Sequence, residues 1–124
     1  MILRNIKFLT WFYLLILVLG SVLPLNSGTA LNNTYVVEIR SDYLIHLLVM
    51  LPLPVLIGFS LRNLSGNWVR VLVLGLLIVV LCEGVQLLIP YRTFNINDLI
   101  ANGVGALIGL IPALLIWHRY KKIA

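Results

Sequence analysis

The chain has 124 residues, of which 61% are hydrophobic and only 10% charged, and its formal net charge is +5. Soluble domains average about 45–50% apolar and about 25% charged residues, so this composition excludes a water-soluble fold. The basic residues flank apolar runs, which is typical of membrane topology and lipid-headgroup contacts, and we expect no nucleic-acid partner.

Four apolar runs are long enough to cross a membrane, since each span needs about 20 residues. They cover roughly residues 6–25, 43–61, 68–89 and 98–117. The sequence therefore predicts an all-α integral membrane bundle of four transmembrane helices, with residues 1–124 forming one domain. The longest loop, residues 26–41, contains an alternating stretch at 34–40 that predicts a small strand or an interfacial segment.

Two of the runs have features that need interpretation. The first follows Arg4 and Lys7, as a signal peptide would, but it is long for one and no convincing cleavage site ends it. We interpret it as a retained helix. In the second run, Pro52 and Pro54 predict a kink or a locally unwound turn, which neighbouring helices can accommodate by satisfying the freed carbonyls. Pro112 predicts a bend in the fourth run.

The distribution of basic residues predicts the orientation. Most of them fall on one side of a four-span chain, at the two termini and in the second loop: Arg4, Lys7, Arg62, Arg70, Arg119, Lys121 and Lys122. Only Arg40 and Arg92 fall on the other side. We expect a multi-pass cell-membrane protein with both termini in the cytoplasm. The four acids would then lie at or near the outer face: Glu38, Asp42, Glu83 and Asp98.

Seven polar residues lie in or beside the apolar runs: Asp42, His46, Glu83, Gln86, Arg92, Asp98 and Asn102. An ionisable side chain at mid-membrane depth costs about 2.5–3.5 kcal/mol and normally faces a bundle interior or a wet cavity. Spacings of three or four residues put the polar pairs of the second, third and fourth runs each on one helix face, and the first run adds no comparable group. Glu83 should lie roughly 10 Å below the outer end of its helix. We expect the set to converge in an outward-facing ligand pocket, with Arg92 or His46 as the counter-charge of Glu83.

Simpler roles remain open for the members of this set. Asp42 could be a helix N-cap, and so could Asp98 or the residue before it. Arg92 could be an interfacial anchor and His46 a buried, hydrogen-bonded histidine, and the whole set could be a structural polar network. Glu83 is the hardest to explain in this way, because an unpaired carboxylate deep in a span is costly.

Small residues recur every four positions along the fourth run, at Ala101, Gly105, Gly109 and Ala113. Such a stripe lets a neighbouring helix approach closely. We favour packing within the chain over dimerisation, and close approach would bring Asn102 against another helix.

In chain order the polar motifs are Asp42-x-x-x-His46, Glu83-x-x-Gln86, then Arg92, and finally Asp98-x-x-x-Asn102 followed by Gly-Val-Gly-Ala. This ordered set resembles the VanZ-like family of small bacterial membrane proteins, over Asp42 to about Gly109. One departure is Tyr43, where the family often has a lysine. The resemblance implies a cell-envelope role and links the chain to a family named for resistance to teicoplanin, a glycopeptide that binds cell-wall precursors. It implies no particular reaction.

The leading functional hypothesis is an envelope protein whose pocket binds a headgroup with phosphate or sugar, such as a lipid-linked wall precursor. Membrane lipid and the glycopeptide itself are the other expected partners. Arg92 would contact the anion, because a planar guanidinium suits phosphate. Gln86 and Asn102 would orient the headgroup, and Asp42 and Asp98 would accept from sugar hydroxyls.

The second hypothesis is an intramembrane enzyme. His46 and Glu83 would be its base and acid, with Asp42 orienting the imidazole. Imidazole and carboxylate also suit a divalent metal, but no metal-ligand spacing and no nucleophile motif is evident, and we expect no resident metal or cofactor. A third hypothesis is a small transporter or an assembly partner for a larger complex.

Overall fold

Five helices and one short hairpin make up the described part of the chain. The computed structural model describes residues 2–24, 35–36, 39–61 and 67–123. Its elements are α1 (Ile2–Val22), β1 (Tyr35–Val36), β2 (Ile39–Arg40), α2 (Ser41–Met50), α3 (Leu53–Ser60), α4 (Trp68–Gln86) and α5 (Ile96–Ile123). Four stretches are long and apolar enough to cross a membrane: Asn5–Val22, Ser41–Ser60, Trp68–Gln86 and Ile96–Arg119. The predicted all-α bundle of four transmembrane helices is therefore confirmed.

The alternating stretch before α2 forms a small strand pair, one of its two predicted forms. Strands β1 and β2 pair antiparallel, with Tyr35 opposite Arg40 and Val36 opposite Ile39. The hairpin leads directly into α2. Glu38 and Arg62, which entered the prediction of orientation, lie outside the described residues, as do the side chains at positions 4, 121 and 122.

The second span is two helices rather than one. Helix α2 ends at Met50, a turn follows, and α3 begins at Leu53, because the two prolines of this segment lack the N–H groups that a continuous helix needs. The Tyr13 hydroxyl of α1 donates a hydrogen bond to the Val49 carbonyl beside the break. The predicted unwinding is thus confirmed, and a neighbouring helix supplies a donor to the interrupted backbone.

Asparagine 95 sets the start of the fourth span. The Asn95 side chain accepts from the Asn97 backbone N–H at 3.0 Å and donates to Asp98 Oδ1 at 3.1 Å. This is the hydrogen bonding of an N-cap residue, so the alternative that Asn97 or Asp98 caps the helix is wrong. Helix α5 starts at Ile96, two residues earlier than predicted, and continues through Pro112.

Helix α5 packs directly against the backbone of the broken second span. A Cβ atom on Gly105 would lie 2.9 Å from the Leu47 carbonyl carbon, and one on Gly109 would lie 2.9 Å from that of Leu51. Only glycine allows this approach, so the small-residue stripe packs α5 against its own chain. Helix α5 also packs on α3 and α4, while α1 packs on α3 and α4.

The interior and the exterior of the bundle are both apolar. Buried side chains include Leu53, Ile57, Val79, Ala106 and Leu110. Large apolar side chains also cover the outside, as expected of helices that face lipid: among them Phe8, Trp11, Leu77, Leu81, Leu88 and Leu115. Polar side chains in the interior are therefore the exception, and among the residues that the structure describes they occur in two places.

The smaller polar cluster joins α1 to α3, away from the seven predicted residues. The Thr10 hydroxyl lies 2.9 Å from the Ile6 carbonyl and 3.3 Å from the Leu56 carbonyl, and it also hydrogen-bonds the Ser60 hydroxyl. Thr10 and Ser60 are both buried. These hydrogen bonds stabilise the packing of α1 against α3.

Candidate functional site

Three of the seven predicted residues form a hydrogen-bonded chain across α2, α4 and α5. Glu83 and Asn102 are each only 1% exposed. Asn102 Nδ2 donates to Glu83 Oε1 at 2.5 Å, and His46 Nδ1 lies 3.2 Å from Asn102 Oδ1. An amide oxygen can only accept, so Nδ1 of His46 carries the proton of that bond. In the neutral imidazole, Nε2 is then the nitrogen with the free lone pair.

Two carboxylates flank this imidazole. Glu83 Oε1 lies 3.9 Å from Nδ1 of His46, and Asp98 Oδ2 lies 3.8 Å from Nε2. Both distances exceed hydrogen-bond length. A protonated His46 would be an ion-pair partner for both acids. The expectation that Asp42 orients the imidazole is wrong, because Asn102 holds Nδ1 and Asp98 faces Nε2.

Asp42 instead pairs with the residue that ends the hairpin. Arg40 donates from Nη2 to Asp42 Oδ2 at 2.5 Å and from Nε to Oδ1 at 3.2 Å. This two-pronged geometry is typical of strong arginine–carboxylate pairs. The hydrogen bonds to Asp42 raise the pKa of the Arg40 guanidinium above its ordinary value. Arg40 also lies 4.7 Å from the centre of the Tyr43 ring. A cation therefore lies beside Asp42 although residue 43 is a tyrosine and not a lysine.

Arg92 does not pair with Glu83; it binds the end of α1. Its Nη2 donates to the Gly20 carbonyl at 2.6 Å and its Nε to the Ser21 carbonyl at 3.1 Å. The neighbouring Tyr91 hydroxyl donates to the Val22 carbonyl at 2.9 Å. The last carbonyls of a helix lack partners within it and carry partial negative charge, which an arginine satisfies well.

The expectation that the first span adds no comparable polar group is therefore wrong in one respect. Its backbone carbonyls at positions 20 and 21 complete the polar end of the bundle. A sequence pattern does not reveal such acceptors, because every residue carries one.

A cavity of about 310 Å³ lies where α1, α2, α4 and α5 meet. Six of the seven predicted residues line it, and Asp98 is the exception. The lining consists of Ile16, Leu17, Gly20, Ser21, Asp42, Ile45, His46, Val49, Met50, Glu83, Gln86, Arg92 and Asn102. The polar members come mainly from α4, α5 and the start of α2, and the apolar members come from α1 and α2. Gln86, which was expected to orient the headgroup, is buried in this lining.

The apolar wall of the cavity is formed by α1 and α2 and is partly exposed. Ile16 is 47% exposed, Ile45 44% and Val49 40%, which indicates an opening between these two helices. The Arg92 bonds to α1 close one end of this opening. The Tyr13–Val49 hydrogen bond closes the other end, about 10 Å further along α1. The opening is therefore an apolar slot that leads from the lipid to a polar floor.

The polar floor contains one acceptor without a partner. Glu83 Oε2 makes no hydrogen bond to any residue that the structure describes. Over the same part of the chain, no three His, Cys, Asp or Glu side chains are grouped so as to hold a metal ion. The polar side chains in the cavity lining thus supply an imidazole, a guanidinium, two amides, two carboxylates and the hydroxyl of Ser21.

The chain was compared with known proteins by family, by sequence and by structure. No curated protein and no solved structure gave a match. The sequence model of the VanZ/LLP1 family matches residues 8–117, which is nearly the whole chain and includes all seven polar residues. It confirms the resemblance and extends it to the first span. This membrane protein belongs to the VanZ/LLP1 family.

Proposed function

We propose that the protein binds the polar headgroup of an envelope lipid in this cavity, with the lipid chain lying in the slot between α1 and α2. The observation that carries the proposal is the shape of the cavity, whose floor is polar and whose side opening is apolar and exposed. A lipid has the same two parts in the same order. A ligand arriving from water would not need exposed isoleucine and valine at the entrance.

The size of the cavity favours a small headgroup. A volume of about 310 Å³ lies at the lower end of the roughly 300–1,000 Å³ of pockets that enclose small-molecule ligands. One sugar ring, or a phosphate with a short polyol, is small enough for such a pocket. A glycopeptide of the teicoplanin type is much larger, so we favour a lipid-linked or anionic envelope component over the antibiotic as the ligand.

Arg92 is the residue best suited to an anionic headgroup. Its contacts with α1 use Nε and one N–H of Nη2, and a guanidinium has five N–H groups. The remaining donors can hold a phosphate oxygen while the α1 bonds persist. Gln86 can orient the headgroup from the neighbouring wall. Asn102 has both ends of its amide engaged, so its role is to position His46 and Glu83.

The family and the charge distribution suggest the cellular setting. With both termini in the cytoplasm of a bacterial cell membrane, the cavity would lie in the outer leaflet, where lipid-linked wall precursors are displayed. Binding them there could contribute to tolerance of teicoplanin-type glycopeptides. A reporter fused to the C-terminus tests the orientation, and reporter activity outside the cytoplasm would contradict it.

Lipid retained by the purified protein tests the binding function. Native mass spectrometry should show an anionic lipid bound to the wild type and at least tenfold weaker binding to Arg92→Gln. Arg70→Gln removes the same charge from an exposed position outside the cavity lining and should bind like the wild type. Equal binding by all three proteins would exclude the proposed site. In cells, Arg92→Gln should also lose any glycopeptide tolerance that the wild type confers.

One observation favours the alternative of an intramembrane enzyme: the donor-to-acceptor direction of the hydrogen bond between His46 and Asn102. With Nδ1 of His46 donating to Asn102, the lone pair of Nε2 is free to accept a proton from a bound hydroxyl group. Turnover of a lipid-linked substrate that His46→Gln abolishes would establish this activity. Binding without turnover in the wild type would leave lipid binding as the function.

A further inference from the structure

The carboxylate of Glu83, in the floor of the cavity, is only partly hydrogen-bonded. Glu83 is almost fully buried, lines the cavity and uses Oε1 to accept from Asn102, while its Oε2 has no partner among the described residues. A buried acceptor left without a donor is destabilising by about 1–3 kcal/mol. Such atoms are rare in native proteins, and each one needs an explanation, such as a catalytic role or a bound partner.

The residues around Glu83 do not supply that donor. Arg92 donates to the carbonyls of α1, Asn102 donates to Oε1, and His46 Nδ1 lies 3.9 Å from Oε1. The other polar residues that line the cavity do not hydrogen-bond Oε2 either. A ligand in the cavity is therefore the candidate for the missing donor.

We propose that the ligand's headgroup donates a hydrogen bond from a hydroxyl or an ammonium group to Oε2 of Glu83. This rests on the lipid-binding function proposed above and narrows it. Arg92 contacts the phosphate that most membrane lipids share, whereas Glu83 selects those whose headgroup also carries an O–H or N–H. Lipids with a phosphodiester but no donor, such as phosphatidylcholine, are bound more weakly.

The decisive comparison keeps the phosphodiester and changes only the donor. The probes are phosphatidylglycerol, with hydroxyl groups, phosphatidylethanolamine, with an ammonium group, and phosphatidylcholine, with neither, each titrated onto the full-length protein in a nonionic detergent without headgroup hydroxyls. We expect the better of the two donor lipids to bind at least about tenfold more tightly than phosphatidylcholine, a difference of about 1.4 kcal/mol. Whether phosphatidylglycerol or phosphatidylethanolamine binds more tightly identifies the preferred donor as a hydroxyl or an ammonium group.

Glu83→Gln is an isosteric test of the same atom. Its side-chain oxygen can keep the bond from Asn102, which places an NH₂ group, a donor, where Oε2 stood. The variant should lose the preference for donor lipids while still binding phosphatidylcholine. Arg70→Gln should keep the preference.

The outcomes separate this proposal from the function on which it rests. If all three lipids bind the wild type equally, or if Glu83→Gln keeps the wild-type preference, donor selection is wrong and lipid binding stands. If none of the lipids binds the wild type, donor selection and the lipid-binding function are both wrong. The wild-type comparison decides the question even if the variant fails to fold.

Discussion

A single methyl group on Gly105 should loosen both the bundle and its polar site. In Gly105→Ala the new Cβ would lie 2.9 Å from the Leu47 carbonyl carbon, whereas carbon atoms in contact are normally about 3.5–4.0 Å apart. Because the obstacle is backbone, α2 and α5 must separate by about 1 Å. Overpacking of this kind costs about 1–3 kcal/mol. The same movement would stretch the 3.2 Å bond between His46 and Asn102 beyond hydrogen-bond length.

Gly103→Ala is the matched control. Gly103 lies on the same helix, and a Cβ there has no heavy atom within 4 Å. Both variants change backbone propensity in the same way, so the difference between them isolates the clash. Reversible unfolding in mixed micelles should place Gly105→Ala about 1–3 kcal/mol below Gly103→Ala, with weaker lipid binding only in the former. Equal stability would refute the close packing of α5 on α2.

Three further substitutions test contacts that the first span makes. Thr10→Val should lower the free energy of unfolding by about 1 kcal/mol, because it removes the bonds to Ser60 and the α3 backbone. Lipid binding should be unchanged. A loss of binding would mean that these bonds also stabilise the cavity. Tyr13→Phe should cost about 1 kcal/mol in the same unfolding assay through its lost bond to α2, and a variant as stable as wild type would show that bond to be unimportant. Arg92→Lys keeps the charge but cannot donate in the same fork, so it should be less stable than Arg70→Lys by about 1–2 kcal/mol; equal unfolding midpoints would contradict the capping of α1.

The architecture of this protein was largely predictable because lipid imposes simple rules. Span number and approximate bounds follow from the length of the apolar runs, and the break between Met50 and Leu53 follows from proline chemistry. The side-by-side placement of His46, Glu83 and Asn102 was also foreseeable, since costly polar groups in a span must meet one another. Helical spacing then specified the face of each helix that carries them.

The pairings within the site could not be predicted in the same way. Arg92 was one of two expected counter-charges for Glu83, the other being His46, but it binds the carbonyl groups of α1. Backbone acceptors of this kind cannot be recognised in a sequence. Asp42 was expected beside His46, one turn away on the same helix, yet Arg40 from the hairpin reaches it first. Both errors arise from long side chains, whose charged ends select partners by three-dimensional distance rather than by helical spacing.

The central claim is that a lipid occupies the slot between α1 and α2, and two bulky substitutions test it most directly. Ile45→Trp would fill the slot, since Ile45 lines the cavity and is 44% exposed. Leu77→Trp adds the same bulk at a 51% exposed position of α4 outside the cavity lining. Native mass spectrometry of the two variants should show bound lipid lost from Ile45→Trp and retained by Leu77→Trp, as in the wild type. Equal retention by both variants would contradict the claim.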